Sequence, residues 1–399
     1  MSWTDPSPRI LAEVVVSSLV IAADPFAQST APGFWTWSRD AHQSVVDEVA
    51  ASPHARVREL AAAIRANPSD FAACSELGTL LEAGLREPGL SAERLAELTW
   101  NVETLSRLRL QLGEERTPSA DTAPGPQKIL ANLRHAPARS TGRIDAAIVV
   151  PFRATEVDSD RIRNVCAVLS ALNDQTHPRD RYRVVVVESD SCPRWEPLLA
   201  PACDTYLFAS NDGPFNYSWT INTGVVHGAR PAELICVLEA DILVDEGFVE
   251  RAVTRFRAPG TQAHWPFQDM LYLDAASSHE AVITRCIEDG RGLSHSRLRG
   301  VFLRRTPGAC MWLRESLFTR IGGLDERFSA GWGGADNDFA WRADMYGVLD
   351  RHQDPMVHLY HSRTSDWFDD NVGRYNDFPW CTWPSDSVIG ELSKYQNAQ

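Results

Sequence analysis

The sequence predicts an α/β protein in which a helical N-terminal region precedes a domain built on a mostly parallel sheet. Before residue 115, apolar residues recur at spacings of three and four, as in amphipathic helices. A stretch rich in Thr, Pro, Ser, Ala and Gly follows at 116–143. From residue 144, apolar runs of strand length without alternation are separated by helical patterns, which is typical of a sheet covered on both faces.

Residues 1–115 are predicted to be helical and to carry no catalytic group. An apolar stripe indicates one long helix through Leu95, Leu98, Val102, Leu105, Leu108 and Leu112. Shorter helical patterns cover residues 44–51, 55–66 and 71–85. We interpret this region as a packing module, or as a surface through which a homodimer could form.

Residues 116–143 are predicted to be a linker. The run APGP at 123–126 interrupts regular structure, because proline and glycine both break helices and strands. A helical turn is compatible with residues 129–134. The main domain is therefore expected to extend over residues 144–399.

The first half of this domain predicts a ligand site at one edge of the sheet. Strands are predicted at 146–150, 182–187, 205–209 and 234–238, with helices at 161–172 and 218–228. Parallel sheets bind ligands at the carboxyl ends of their strands. Charged residues follow three of these strands directly: Arg153, then Glu188 and Asp190, then Glu239 and Asp241.

The second half is less regular. A strand is predicted within 300–310, helices at 314–321 and 336–346, and another strand at 355–361. Residues 362–384 are rich in Asp, Asn, Gly and aromatic residues, which indicates a surface loop.

The composition excludes several classes of protein. A formal net charge of −14 argues against nucleic-acid binding, which normally requires a basic surface. The 8 cysteines form no CxxC pair, so we expect neither a disulfide scaffold nor a zinc ribbon, and a reducing cytoplasm fits best. The apolar run at 10–23 is short and contains Glu13, so we expect neither a membrane-spanning helix nor a signal peptide.

The stretch GWGGADNDF at 331–339 combines features of a carbohydrate site. Its glycines allow close approach of the backbone to a ligand. Trp332 offers an apolar face to a sugar ring, and Asp336 or Asp338 could take a proton from a hydroxyl group. The stretch therefore predicts a sugar site that contains a general base.

Two further pairs of residues could bind a metal ion. Glu239 and Asp241 follow a predicted buried strand, and carboxylate oxygens suit Mg²⁺ or Mn²⁺ bridging a diphosphate. They could equally be solvated acids at a strand end. Imidazole groups are acceptable to Mn²⁺, so His358 and His361 are candidate ligands, although they could be ordinary hydrogen-bonded histidines.

Three other residues could hold a nucleotide. Arg153 could bind a phosphate, Asp190 could accept a hydrogen bond from a base or ribose, and Phe215 could stack on a base. Each could also be purely structural. The chain contains no Walker phosphate loop, no GxGxxG after the first strand and no GxSxG, which argues against a nucleotide hydrolase, a dinucleotide oxidoreductase and a serine hydrolase.

Five blocks, in this order, resemble the GT-A glycosyltransferases, most closely the β-1,4-galactosyltransferase family and its bacterial family 2 relatives. The blocks are VPFR at 150–153, FN through INTG at 215–224, LEADI at 238–242, IGGLD through GWGGADND at 321–338, and HSR at 361–363. The similarity covers roughly residues 144–370 and not the N-terminal third. It implies a GT-A fold and a UDP-sugar donor bound with Mn²⁺ or Mg²⁺.

The resemblance also implies a role for each matching residue. Asp336 would be the catalytic base. The metal ligands would be Asp241, His361 and, where the family has a methionine, His358. The residues at the nucleotide sugar would be Pro151, Phe152, Arg153, Phe215, Glu239, Asp241, Trp332 and Gly333, together with Asp190. The residues at the acceptor would be Trp332, Asp336 and Asn337.

Three positions depart from the family's pattern. Glu239 stands in place of the first aspartate of Asp-x-Asp, Ala335 in place of the glutamate before the base, and Thr155 in place of a second arginine. These departures concern contacts to the donor sugar and the identity of the acceptor more than the type of reaction.

We therefore expect transfer of a hexose from a UDP-glucose or UDP-galactose type donor to a hydroxyl group, with inversion, on a small acceptor such as a natural product. A retaining transferase is one alternative, and a non-catalytic carbohydrate-binding relative is another. A sugar-1-phosphate nucleotidyltransferase is less compatible, because PFRA at 151–154 lacks the glycines of its phosphate loop.

Overall fold

The computed structural model describes residues 7–85, 90–114, 124–133, 143–155, 160–288, 293, 295–329, 333–347, 349–362 and 379–396. The chain divides into two compact units. The first combines Met1–Asp121 with Asp269–Ser277 and Ser294–Arg305. The second consists of Thr122–Gln268, Ser278–Leu293 and Thr306–Gln399.

Among the described residues, six helices precede the first strand, and helices and strands are interspersed along the rest of the chain. The α-helices are α1 (Pro8–Ala23), α2 (Pro25–Thr30), α3 (Pro32–Ala50), α4 (Ala55–Ala66), α5 (Phe71–Gly84), α6 (Leu90–Leu105), α7 (Pro126–Ala131), α8 (Asp160–Leu172), α9 (Glu196–Leu199), α10 (Tyr217–Gly224), α11 (Phe248–Arg255), α12 (Ala275–Val282), α13 (Glu315–Arg320) and α14 (Ala335–Asp344). The strands are β1 (Leu108–Gln111), β2 (Ala146–Phe152), β3 (Tyr182–Glu188), β4 (Thr205–Phe208), β5 (Leu234–Leu238), β6 (Ile242–Val244), β7 (Ala263–Trp265), β8 (Asp269–Leu273), β9 (Gly300–Arg304), β10 (Cys310–Arg314), β11 (Leu349–Arg351) and β12 (Met356–His358).

The first unit is a helical core built around α1. The apolar run of α1 is buried, and it packs with apolar residues of α3, α4, α5 and α6 in one hydrophobic cluster. The helices expected at 55–66 and 71–85 are confirmed as α4 and α5, and the helix expected at 44–51 is the C-terminal part of the longer α3, which ends at Ala50. Among the described residues, no helix has the length and apolar character needed to cross a bilayer.

The prediction of one long helix that continues through Leu112 is wrong at its C-terminal end. α6 ends at Leu105, and the hydroxyl of Ser106 accepts a hydrogen bond from the amide of Leu108 at 3.0 Å. β1 then pairs antiparallel with β9, which in turn pairs antiparallel with β8. Leu108 is buried with Val301 and Leu303, so pairing with a distant strand overrides the local helical spacing.

The second unit contains a seven-stranded sheet in the order β11-β7-β10-β5-β2-β3-β4. Its first four strands along the chain, β2, β3, β4 and β5, are the ones expected from the apolar runs, and they are parallel. The expected α/β class is confirmed, but the sheet is mixed, because β10 pairs antiparallel with both β5 and β7. All seven residues of β2 are buried, which explains why its sequence is apolar without alternation.

The C-terminal end of helix α10 packs closely against the sheet, and its last residue, Gly224, has no side chain to keep it away. A Cβ atom on Gly224 would lie 2.4 Å from a methyl carbon of Val149 and 2.8 Å from one of Val187. The other end of α10 is fixed by Asn216, whose side chain accepts from the amide of Trp219 and donates to the hydroxyl of Tyr395. The first residue of α10 is thereby held beside the carboxyl ends of the parallel strands.

The later part of the chain differs in detail from expectation. The strand expected within 300–310 is two strands, β9 and β10, with a connection in which Arg305 and Ala309 have φ values of 57° and 76°. The helices expected at 314–321 and 336–346 are confirmed as α13 and α14, and the strand expected at 355–361 is the shorter β12. Most of the loop expected at 362–384 lies outside the described residues.

Candidate active site

Three potential metal ligands meet at the end of β5. Asp241 follows this strand, and its carbonyl accepts from the amide of Leu359 at 2.8 Å, which brings β12 alongside. Nε2 of His361 lies 3.1 Å from one carboxylate oxygen of Asp241, and Nε2 of His358 lies 3.6 Å from the other. One ligand atom from each residue lies within 4.8 Å of the others. A carboxylate with two imidazoles fits Mn²⁺ and similar divalent ions.

Both imidazoles are oriented as metal ligands. Nδ1 of His358 donates to the carbonyl of Leu359 at 2.9 Å, and Nδ1 of His361 donates to that of Ser362 at 3.1 Å. A histidine whose Nδ1 donates to a carbonyl can present the lone pair of Nε2 to a metal ion once Nε2 has given up its proton. Oδ1 of Asp241 is buried and, within the described part of the chain, has no hydrogen-bond partner. The three residues therefore fit a divalent cation.

The electrostatics of Asp241 favour its ionised form. Burial opposes ionisation, but the charge of His358 and the hydrogen bond from His361 hold the pKa of Asp241 below its usual range. An ionised carboxylate is the state that binds a cation.

Glu239 has the opposite character. Burial, followed by repulsion from Asp241 and Asp336, raises its pKa well above the usual range. Its Oε1 accepts from the amide of Ala309 at 3.2 Å, and its own amide donates to the carbonyl of Ala309 at 3.0 Å. Glu239 therefore holds Ala309, the residue before β10, against the end of β5 through two hydrogen bonds.

Asp336 lies in the first turn of α14, which begins after Gly334, a glycine with φ of 89°. Burial raises the pKa of Asp336 to about 6. A Cβ atom on Gly308 would lie 2.8 Å from Oδ2 of Asp336 and 3.7 Å from Oε1 of Glu239, so both carboxyl groups approach this glycine. Asp336 and Gly308 line a pocket together with Tyr217.

Asp338 supports α14 and does not face the pocket. Its side chain is fully buried, accepts from the amide of Cys381 at 2.6 Å and pairs with Arg342 at 2.8 Å. Arg342 donates in turn to the carbonyls of Ile321 and Gly323 at 2.6 and 2.8 Å. This arrangement fixes the helix that carries Asp336.

The predicted nucleotide residues lie at the ends of β2 and β3. Pro151 and Phe152 are buried in β2, with Phe152 only 2% exposed. Arg153 donates to the carbonyl of Gly213 at 2.7 Å and lies 3.7 Å from a carboxylate oxygen of Asp190. The Asp190 carboxylate also accepts from the amide of Ser191 at 2.7 Å and from Arg194 at 3.3 Å. The Asp190 carboxylate therefore links the residues that follow β3 to Arg153, which follows β2.

Of the remaining predicted residues, three belong to the described part of the chain and one does not. Phe215 is half-buried beside α10, and Gly333 and Asn337 are half-buried at the start of α14. Trp332 lies outside the described residues.

Sequence reasoning did not select Tyr217 or Gly308, which line the pocket beside Asp336. Tyr217 directly follows the Phe215-Asn216 pair, so its position in the chain could have indicated it. Gly308 reaches the site through the antiparallel β10, for which the sequence contains no pattern that specifies a partner.

The comparisons with known proteins found no sequence relative. No protein-family model and no curated protein matches the chain. Among solved structures, it is similar to the mannosyltransferase PcManGT from Pyrobaculum calidifontis in complex with GDP-Man and Mn²⁺, at 18% identity and TM-score 0.36, over 59% of this chain and 62% of that one. It is also similar to residues 1–349 of TarS from S. aureus, at 14% identity and TM-score 0.37, over 56% and 62%. The chain thus covers less than two thirds of either structure, and at these TM-scores the similarity carries no argument about function.

Proposed function

We propose that this protein is a metal-dependent glycosyltransferase of GT-A type that moves a hexose from a UDP-sugar to a hydroxyl group of a small acceptor. The observation that carries this proposal is the cluster of Asp241, His358 and His361 on the same edge of the sheet as Asp336. A divalent-cation site can stabilise the departing diphosphate, and a separate, half-buried carboxylate can accept the acceptor proton.

On the donor side, Asp241 and the two histidines would hold the ion, and Arg153 and Phe215 would contact the nucleotide. A bound Mn²⁺ or Mg²⁺ would stabilise the negative charge of the leaving diphosphate by roughly several kcal/mol. Fixing the donor in this way also brings its anomeric carbon into line with the attacking oxygen.

On the acceptor side, Asp336 removes the proton of the acceptor hydroxyl. The acceptor oxygen then forms a bond to the anomeric carbon while the bond from that carbon to the diphosphate oxygen breaks. Attack from the face opposite the leaving group inverts the anomeric configuration. General bases of this kind accelerate reactions roughly 10²–10⁴-fold, and the raised pKa of Asp336, about 6, brings the base close to neutral pH.

The test measures Mn²⁺-dependent UDP release with UDP-glucose, UDP-galactose and UDP-N-acetyl sugars in the presence of hydroxyl acceptors. Asp336→Asn is expected to lose about 10²–10⁴-fold in turnover and to retain UDP binding, because it removes the base and leaves the donor contacts. Asp386→Asn, at an exposed site, is the matched control.

Different outcomes would contradict different parts of the proposal. Near-normal turnover of Asp336→Asn would refute the assignment of the base. A product with the donor's anomeric configuration would refute inversion. If no UDP-sugar supports release with any acceptor, the proposed activity is wrong.

A further inference from the structure

Two tryptophans are exposed together on the outer face of α14. Trp341 belongs to this helix and is 52% exposed, and Trp380 belongs to a later turn and is 38% exposed. Their rings meet edge to face, with centroids 4.5 Å apart and planes inclined by 72°. This is a preferred arrangement of aromatic pairs, so each ring holds the other in place and the pair offers a fixed apolar surface to the solvent.

The N–H groups of both indoles are unused within the described part of the chain. Four other tryptophans donate from Nε1 to backbone carbonyls, namely Trp195, Trp219, Trp265 and Trp383. Trp341 and Trp380 therefore combine an exposed apolar ring with a hydrogen-bond donor that is available to a ligand.

The turn that follows Trp380 is held against α14 by hydrogen bonds. The amide of Cys381 donates to the carboxylate of Asp338 at 2.6 Å, and the indole of Trp383 donates to the carbonyl of Gly322 at 2.8 Å. Trp380 is therefore held in position before any ligand arrives, and a side chain that is already ordered loses little entropy on binding.

The pair adjoins the stretch that carries Asp336. A Cβ atom on Gly334 would lie 3.5 Å from Nε1 of Trp380, so this indole packs on the glycine that precedes α14. Asp336 and Trp341 are five residues apart, which corresponds to about 7.5 Å along the helix axis and to different sides of the helix. The N-terminal end of α14 therefore lies between the candidate base and the pair.

The chemistry of the pair fits a sugar ring. A pyranose has a face of C–H groups, which an indole ring can cover, and a rim of hydroxyl groups, which need hydrogen-bond partners. The two indole N–H groups can serve that rim, and so can the amide of Asn337. Asn337 is half-buried and lies one turn before Trp341, so the two side chains emerge on the same face of α14.

The exposed surface is too small for a stable protein interface. Together with Met345, one turn beyond Trp341, the two indoles expose roughly 300 Å² of surface, whereas a stable interface buries about 800 Å² on each partner. The ring of Tyr346 does not extend this surface, because the guanidinium of Arg320 lies over it at 4.3 Å from the centroid. A small ligand with an apolar face matches the area better than a second copy of the chain.

We propose that Trp341 and Trp380 bind a second sugar unit of the acceptor, so that the acceptor contains at least two sugar units. The inference rests on the proposed function for the role of the first unit, which would lie at Asp336. The second site itself is defined by the two indoles. Binding of saccharides without donor or metal is therefore a sufficient measurement.

The experiment is calorimetric titration of the full chain with saccharides of one and two units. The methyl glycosides of glucose, galactose and N-acetylglucosamine are compared with cellobiose, maltose, lactose and chitobiose. The variants are Trp341→Ala, Trp380→Ala and Trp341→Phe, and Trp37→Ala is the matched control, because Trp37 is 68% exposed on α3. Thermal melts establish that each variant is folded.

We expect at least one disaccharide to bind the wild type about 10-fold more tightly than the methyl glycosides, from the apolar area that a second ring covers. Trp341→Ala and Trp380→Ala should each remove most of this preference and leave the affinity for methyl glycosides within about twofold. Trp341→Phe should keep part of the preference, because a smaller ring remains. Trp37→Ala should match the wild type in every titration.

Three results would overturn the proposal. The first is a wild type that binds no disaccharide more tightly than the methyl glycosides, and the second is a preference that survives both alanine variants. The third is an equal loss of methyl glycosides and disaccharides, which would mean that the pair binds the first sugar unit or only supports the fold.

Two further measurements separate this site from other interpretations. Sedimentation velocity should give the same mass for the wild type and Trp341→Ala, and a dimer that dissociates in the variant would show that the pair covers a second copy instead. If disaccharide binding depends on the pair but no UDP-sugar is turned over, the proposed transferase activity fails and the saccharide site stands. If UDP-sugars are turned over without any preference for disaccharides, the transferase stands and the saccharide site is wrong.

Discussion

Replacing Gly308 with alanine tests whether the position of Asp336 matters for the reaction. The new Cβ atom would lie 2.8 Å from Oδ2 and 3.2 Å from Cγ of Asp336, whereas ordinary contacts begin at 3.4 Å. The carboxylate must therefore retreat by about 0.6 Å, the difference between 3.4 and 2.8 Å. The backbone of Gly308 is outside the left-handed region, so alanine should introduce no strain of its own.

The expected effect is confined to the chemical step. A misplacement of about 1 Å can cost about 10²-fold in rate, so a retreat of this size should lower kcat roughly tenfold, equivalent to about 1.4 kcal/mol of activation free energy. Binding of UDP with Mn²⁺ should stay within about twofold of the wild type, because the ligands of the metal do not move.

The assay is steady-state UDP release together with calorimetric titration of UDP and a thermal melt. Gly84→Ala is the control, since a Cβ atom there meets nothing within 4 Å. A Gly308→Ala variant with wild-type kcat would refute the reasoning, because Asp336 would then tolerate displacement. If kcat and UDP affinity fell together, the substitution would have disturbed the whole site and not Asp336 alone.

The remaining predictions concern pH and stability. Because burial raises the pKa of Asp336 to about 6, the base is protonated below that pH. We expect kcat to fall about tenfold per pH unit below 6 and to level off above about 7, and a flat profile between about pH 5 and 7 would contradict this role. Burial lowers the pKa of His42 from 6.5 to about 4, so the unfolded chain binds a proton first as the pH falls. Urea unfolding of the wild type should therefore lose about 3 kcal/mol between about pH 6.5 and 4, a component that His42→Asn should lack. Asp338→Asn should lower the free energy of unfolding by about 3–5 kcal/mol, because it leaves the guanidinium of Arg342 buried without a counter-charge, and an unchanged melt would show that this ion pair is not needed.

The sequence was most informative where local pattern and burial agree. The parallel strands β2, β3 and β5 were predictable because strands covered on both faces are continuous apolar runs, and the acids after β5 stood out against that background. The short strands that follow β5 in the chain were predicted poorly. β6, β7, β8 and β11 are only three to five residues long, and a short strand acquires its identity from the partner with which it pairs.

The same limit applies to the site. Asp241, His358 and His361 could be named from the sequence, but each also had a structural interpretation. Their convergence depends on the register of β12 on β6, which pairs His358 with Ile242. The supporting role of Asp338 likewise became clear only from the tertiary structure, in which the amide of Cys381 donates to its carboxylate.

By itself, the sequence determined the class of the fold, the edge of the sheet at which polar residues gather and the residue types available there. The tertiary structure alone decided which of these residues meet and in which state of charge. Gly308 approaches Asp336, which lies 28 positions later in the chain, and His361 lies 3.1 Å from Asp241, which lies 120 positions earlier. Distances of that kind are set by strand register and helix packing, and pKa values by the burial that results. Neither quantity is a property of a local stretch of sequence.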